Sequence, residues 1–262
     1  MEFQAITIIN GKKSESHDCM VLDQGVNFGK GVFETIAVVG STPVFLKEHC
    51  ERLKKGLTAL GIDNAVRQEQ ITAYMNEFAI ADCAMKVLVT PKNIVVNTRE
   101  NIYSGGQFKE GFKVSISALK RNPHSHVVFH KTINYTDNII ENELAHKAGF
   151  NEAIFTNVYG FLAEGSVSNL FFVSKGRIFT PSIGCGILSG IVRDWVLRNY
   201  VVEEGEFTLE ELFSADAVFL TNSLMGIMPV RQIQDKLYSP YNRKCAEIQE
   251  GYKVEVQRQV EN

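Results

Sequence analysis

Gly184-Cys185-Gly186-Ile187-Leu188-Ser189-Gly190-Ile191-Val192-Arg193-Asp194-Trp195 is a glycine-bearing loop that runs directly into a helix. Glycines let a ligand approach the backbone closely, and the free N–H groups and dipole of a helix start favour an anion such as phosphate. Many loops of this kind bind nothing, so the flanking pattern decides what the segment builds. Upstream, β-branched and aromatic runs predict strands at Glu152 to Thr156, Asn169 to Ser174 and Arg177 to Thr180. Downstream come a short helix around Leu209 to Phe213, a strand Ala217 to Thr221 and another near Met228 to Ile233. Strands on both sides of a loop-to-helix turn make this half of the chain α/β.

Working outward, a helix from about Thr136 to Lys147 closed by Gly149 precedes these strands, and a helical stretch from Asn242 follows them. The other half opens with Phe3 to Ile9 and Asn10-Gly11, a dipeptide that supplies the positive φ angles of a tight hairpin. Gly31 to Val39 reads as a strand ended by Gly40-Ser41-Thr42-Pro43. Leu46, Cys50, Leu53, Leu57 and Leu60 recur at helical spacing before Gly61, and a second helix starts near Gln68. Strands are expected at Met85 to Thr90, Ile94 to Thr98 and Phe112 to Ala118. The polar break Lys120-Arg121-Asn122-Pro123-His124 suggests a small α/β domain over 1–119, a linker over 120–126 and a larger domain over 127–262.

With 45% hydrophobic and 22% charged residues, the 262-residue chain has a globular balance. Its 27 basic and 30 acidic residues are interspersed, which argues against a nucleic-acid partner. No apolar run is long enough to span a bilayer, and Met1-Glu2-Phe3-Gln4 lacks the basic start of a signal peptide, so the cytoplasm is the expected compartment. Cys19, Cys50, Cys83, Cys185 and Cys245 are scattered and read as reduced thiols. His124, His126 and His130 alternate as strand ligands would, yet no Asp, Glu or Cys set accompanies them, and no metal is expected.

Three further segments carry usable chemistry. Ala163-Glu164-Gly165-Ser166-Val167-Ser168-Asn169 sets a carboxylate and hydroxyls between two strands, and Thr221-Asn222-Ser223 follows an apolar strand with hydroxyls and an amide. Either is also what an ordinary turn looks like. Lys131 stands in Phe129-His130-Lys131-Thr132-Ile133-Asn134-Tyr135; a lysine in partly apolar company becomes a nucleophile toward aldehydes, although most lysines are simply solvated.

Taken together with Asn27-Phe28-Gly29-Lys30-Gly31-Val32-Phe33-Glu34-Thr35 and His49-Cys50-Glu51-Arg52-Leu53, these segments resemble, in order and over nearly the whole chain, the fold-type IV pyridoxal-phosphate enzymes, or class IV aminotransferases. The resemblance implies two lobes, the larger one β-barrel-like, a homodimer, and pyridoxal 5'-phosphate as cofactor. It implies that Lys131 carries the cofactor as a Schiff base and shuttles the proton, and that Glu164 pairs with the pyridine nitrogen. Arg52, the backbone of Ile191 and Val192, and Ser223 with Asn222 would hold the phosphate; Leu188 would support the ring and Ser168 would line the site.

Within the family, Arg121-Asn122-Pro123-His124, Thr35 and Asn222 to Val230 lean toward the lyases that release pyruvate from an aminated chorismate, leaving 4-aminobenzoate for folate synthesis. Thr35 is the candidate for a catalytic contact near the leaving group, and Arg121 or Lys92 for a substrate carboxylate. The alternative is transamination of branched-chain or D-amino acids. Against it, Phe33 stands where D-amino acid aminotransferases carry tyrosine, no Arg-Gly pair lies near Pro91-Lys92, and Thr35 replaces the usual glycine of branched-chain enzymes. Lys30 departs from the Asp of many relatives.

Overall fold

The structure, a computed structural model, describes residues 3–14, 20–103 and 105–261. Two compact units result: Met1–Ile102 with His130–Asn134 and Val256–Asn262, and Tyr103–Phe129 with Tyr135–Glu255.

The first unit contains β1 (Thr7–Ile9), β2 (Lys12–Lys13), α1 (Gln24–Phe28), β3 (Val32–Val39), β4 (Thr42–Pro43), α2 (Leu46–Ala59), α3 (Gln68–Glu77), β5 (Cys83–Val89) and β6 (Ile94–Arg99). Asn10 and Gly11 take φ values of 50° and 84°, the pair of left-handed residues a two-residue hairpin demands, so the expected turn is present. The strands form a six-stranded antiparallel sheet in the order β2-β1-β6-β5-β3-β4. Alternation sends Val32, Ile36, Met85, Val87 and Val96 into a core covered by Leu53 and Leu57 of α2 and Ile71 of α3. The sequence pattern does not announce α1, because five residues are too few for a helical period. It is held by Asp23, whose side chain accepts from Val26 N.

The second unit contains α4 (Gly105–Glu110), β7 (Phe112–Arg121), α5 (Thr136–Lys147), β8 (Glu152–Asn157), β9 (Leu162–Gly165), β10 (Asn169–Ser174), β11 (Arg177–Pro181), α6 (Ile191–Asn199), β12 (Val202–Gly205), α7 (Leu209–Phe213), β13 (Ala217–Asn222), β14 (Gly226–Ile233), β15 (Lys236–Leu237) and the start of α8 (Arg243–Glu261). Its nine-stranded mixed sheet runs β12-β11-β10-β13-β14-β7-β8-β9, with β15 on β14. β9, at one end of that order, also lies against β10 and β11 near the other end, so the sheet curls into a barrel-like form. The strand Phe112–Arg121, which the sequence pattern sets at the close of the first lobe, pairs in parallel with both β14 and β8 inside this sheet. Such pairing is long-range, and no local signal announces it.

Phe171 and Phe219, cross-strand neighbours on β10 and β13, are fully buried and stack with centroids 4.9 Å apart. Phe171→Ala is expected to cost about 3–5 kcal/mol of stability, read as a lowered guanidinium midpoint; an unchanged midpoint would mean that this stack does not organise the sheet.

Candidate active site

Lys131 belongs to the first unit because the stretch around it pairs with the start of β3. Thr132 bridges Val32, Phe33 N donates to Lys131 O at 2.8 Å, and Ile133 N donates to Gly31 O at 3.0 Å. Asn134 Nδ2 adds a bond to Gly29 O at 2.8 Å. Two segments about a hundred residues apart in sequence are thereby clamped together, and Lys131 Nζ is set 4.5 Å from the centroid of the Phe33 ring. Thr35 projects from the same face of the sheet as Phe33, two residues further along the strand.

Glu34, between them, points the opposite way, toward α2. Arg52 grips it with both arms, Nε to Oε1 at 2.7 Å and Nη2 to Oε2 at 2.6 Å, and His49 Nδ1 meets Oε2 at 2.7 Å. Such a fork fixes the plane of the guanidinium. Burial by itself would raise the Glu34 pKa, but the charge and fork of Arg52 and the bond from His49 outweigh it and hold the carboxyl at about 2. Burial lowers the pKa of His49, opposed by Glu34. Since a carboxylate only accepts, Nδ1 carries the proton, and the buried Nε2 is left without a hydrogen-bond partner. The sequence names Arg52 but assigns no role to Glu34 or His49, although both lie inside the motifs it quotes.

In the second unit, Glu164 at the end of β9 accepts from Leu188 N at 2.9 Å through Oε2 and pairs through Oε1 with Arg121 Nη2 at 3.1 Å. The Arg121 guanidinium lies over the Phe155 ring, 4.2 Å from its centroid. Arg121 thus meets Glu164 through one nitrogen, while its buried Nε has no hydrogen-bond partner among the described residues. The loop after Glu164 is built around a residue that pattern reading passes over. Glu152, buried at the start of β8 with no cationic partner among the described residues, accepts from Ala153 N, Ser166 N, Ser166 Oγ, Val167 N and Ser168 Oγ. Ser168 thus spends its hydroxyl on Glu152 at 2.8 Å. Gly165 is required there, since a Cβ would collide with Ser168 Oγ.

The loop quoted first ends where expected. Gly190 caps α6 without any side-chain hydrogen bond, and Ile191 and Val192 occupy its first turn. Arg193, almost wholly buried, ties α6 down through Pro181 O at 3.0 Å and Glu204. Asn169 packs against Gly190 and is the cross-strand partner of Thr221. Asn222 has its side chain fully engaged: Nδ2 on Tyr103 Oη and Val167 O, Oδ1 on Leu224 N and Met225 N. It therefore shapes the turn that carries Ser223.

Residues 31–233 match the family described as Amino-transferase class IV. The chain belongs to that family. It is 29% identical over 279 residues to the aminodeoxychorismate lyase of Bacillus subtilis, covering 96% of this chain and 95% of that one. It is 27% identical over 253 residues to the D-alanine aminotransferase of Bacillus licheniformis, covering 86% and 87%. The branched-chain amino acid aminotransferase of T.th., solved with N-(5'-phosphopyridoxyl)-L-glutamate, shares the fold with a TM-score of 0.86 at 24% identity, covering 98% of this chain and 96% of that one. Lyase and transaminase relatives at similar distance fix the family and leave the individual reaction open.

As a class IV aminotransferase the chain is a pyridoxal 5'-phosphate enzyme of fold-type IV. Its residues fit that cofactor. Thr221 Oγ1 is buried without a hydrogen-bond partner, on the same sheet face as Asn169 and hence next to the uncapped start of α6. A spare hydroxyl beside the backbone N–H groups of a helix start is a donor set suited to a phosphate. Among the described residues no group of three or more His, Cys, Asp or Glu is arranged to hold a metal ion, and no helix is long and apolar enough to cross a membrane.

Because the pKa of Glu34 is depressed from 4.5 to about 2 on folding, its stabilising contribution is complete above pH 4.5 and is lost as pH falls from there toward 2. Glu34→Gln is expected to cost about 3–5 kcal/mol near neutrality by stranding Arg52. The gap from the wild type should narrow as denaturation is repeated between pH 4.5 and 2; a gap independent of pH would refute the paired state.

Proposed function

We propose that the protein is a 4-amino-4-deoxychorismate lyase, converting its substrate into 4-aminobenzoate and pyruvate for folate synthesis. The observation that carries this reading is Thr35, a hydroxyl on the sheet face of Phe33, over which Lys131 Nζ lies. Elimination needs a base and a group that eases departure of an oxygen, and this face offers both. The 29% identity to the Bacillus subtilis lyase over almost the full chain supports it.

In this reading Lys131 holds the cofactor covalently, Glu164 pairs with its ring nitrogen, and Arg52, the Ile191 and Val192 backbone and Ser223 hold its phosphate, with Leu188 against the ring. Asn222 and Ser168 act by shaping the turns around it. Bound pyridoxal phosphate supplies an electron sink that acidifies the carbon bearing the substrate amine. Lys131 Nζ, freed as an amine when the substrate amine takes its place, would take the proton from that carbon. Thr35 hydrogen-bonds the ether oxygen of the enolpyruvyl group as its bond to the ring breaks. The ring becomes aromatic, and the released enolpyruvate takes up a proton to become pyruvate. Arg121 aims the Glu164 carboxylate, with Leu188 N as its second anchor.

We further propose a homodimer working in the cytoplasm. Ile139, Ile140 and Leu144 leave an apolar stripe exposed on α5, and Cys50, Cys83, Cys185 and Cys245 are all free thiols, as suits a reducing compartment.

Two measurements test the reaction. Purified enzyme given aminodeoxychorismate should form 4-aminobenzoate with no keto acid present; amino transfer to 2-oxoglutarate or pyruvate without aminobenzoate would replace the lyase reading with the aminotransferase one. The wild type should show a visible absorbance band that borohydride abolishes, and Lys131→Ala should lack it while losing at least roughly a thousandfold in turnover. A band that survives in that variant would remove Lys131 from its role.

A further inference from the structure

The sheet face that carries Phe33 and Thr35 also carries a cation that no described acidic residue neutralises. Lys86, in the middle of β5, is the register partner of Thr35 on β3 and of Asn97 on β6, so the three side chains leave the sheet on one side. Its Nζ lies 4.5 Å from the Phe33 ring centroid, the same distance as Lys131 Nζ. Burial, aided by the charge of Arg99, pulls its pKa down. None of the ion pairs among the described residues includes it. The nearest acidic residue on the neighbouring strand, Glu34, points to the opposite face and is engaged by Arg52 and His49. A half-buried ammonium with an aromatic ring under it and no counter-ion among the described residues is held at a cost, and a carboxylate brought by a ligand removes that cost.

We infer that Lys86 is a substrate-binding residue that takes a carboxylate of the molecule whose amine is handled at Lys131. The inference rests on the lyase reading for the identity of that molecule. In the aminated chorismate, a ring carboxylate stands para to the amine, so one rigid ring presents its two ends to two lysines that share Phe33. In this inference the role assigned above to Arg121 or Lys92 falls to Lys86, since Arg121 already pairs with Glu164 and Lys92 is an exposed loop residue whose backbone N–H is bound by Asp23.

The test uses the holoenzyme as wild type, Lys86→Met, Lys86→Gln and Lys86→Arg. Steady-state constants are measured with aminodeoxychorismate, and equilibrium binding is measured with 4-aminobenzoate and with aniline, the same ring without the carboxylate. Lys86→Met and Lys86→Gln should raise KM and the Kd for 4-aminobenzoate at least roughly tenfold, with a smaller effect on kcat, while aniline binding and the visible cofactor band stay as in the wild type. Lys86→Arg should recover most of the loss. Unchanged 4-aminobenzoate affinity, or an equal weakening of 4-aminobenzoate and aniline, would overturn the inference. If one neutral variant fails to fold, the other is read in its place. Failure of the wild type to make 4-aminobenzoate would instead reject the lyase reading, and the comparison of 4-aminobenzoate with aniline would still decide whether Lys86 binds a carboxylate.

Discussion

The pleat of one strand organises the chemistry of the first unit. Along Val32–Thr35 successive side chains leave the sheet in opposite directions, so a step of one residue separates two environments. Val32 and Glu34 face the helical layer, where Val32 packs in the core and Glu34 is gripped by Arg52 and His49 of α2. Phe33 and Thr35 face the other way, where Phe33 meets Lys131 and Lys86. A slip of one residue in the pairing of β3 with β5 would exchange the two sets, taking the carboxylate away from Arg52 and setting an aromatic ring against that cation. The seven-residue register from Val32 opposite Val89 to Val38 opposite Cys83, together with the bridge to Thr132, prevents it.

In the second unit the comparable constraint is electrostatic. Glu152 is a buried anion neutralised by no cation among the described residues, so its stability depends on the N–H and hydroxyl groups that converge on it. Most of those groups belong to residues 166–168, and meeting the carboxylate fixes the path of the loop directly after Glu164. Glu164 is then oriented by a cation and a backbone N–H rather than by packing. Two carboxylates in one unit therefore have different partners, those of Glu152 among the described residues wholly neutral and Glu164 paired with a cation.

Pattern reading finds most of the elements because their signals are local. The Asn10-Gly11 turn, the leucine spacing of α2, the stop at Gly61 and the helix start at Gly190 each follow from the preferences of a few adjacent residues. It misses α1, α4, β9, which contains the Glu164 expected between strands, β12 and β15; these run from two to six residues and are held by tertiary contacts or caps rather than by periodicity. Among the proposed site residues, Lys131, Arg52 and Glu164 are legible through the family resemblance, whereas nothing in the neighbourhood of Glu152, Lys86 or Thr221 distinguishes them from ordinary strand residues.

By itself the sequence determined the α/β class and the family, since composition, short-range spacing and ordered motifs are properties of the chain alone. Tertiary structure decided which unit holds Lys131, because that depends on a backbone bridge across about a hundred residues. It also decided that Arg121 serves Glu164, that Glu34 and Lys86 lie on opposite faces of one sheet, and that a hydroxyl at Thr221 is left over beside α6. Each of these is a statement about charge, burial or an unmet hydrogen bond, and those quantities exist only after distant segments have been brought into contact.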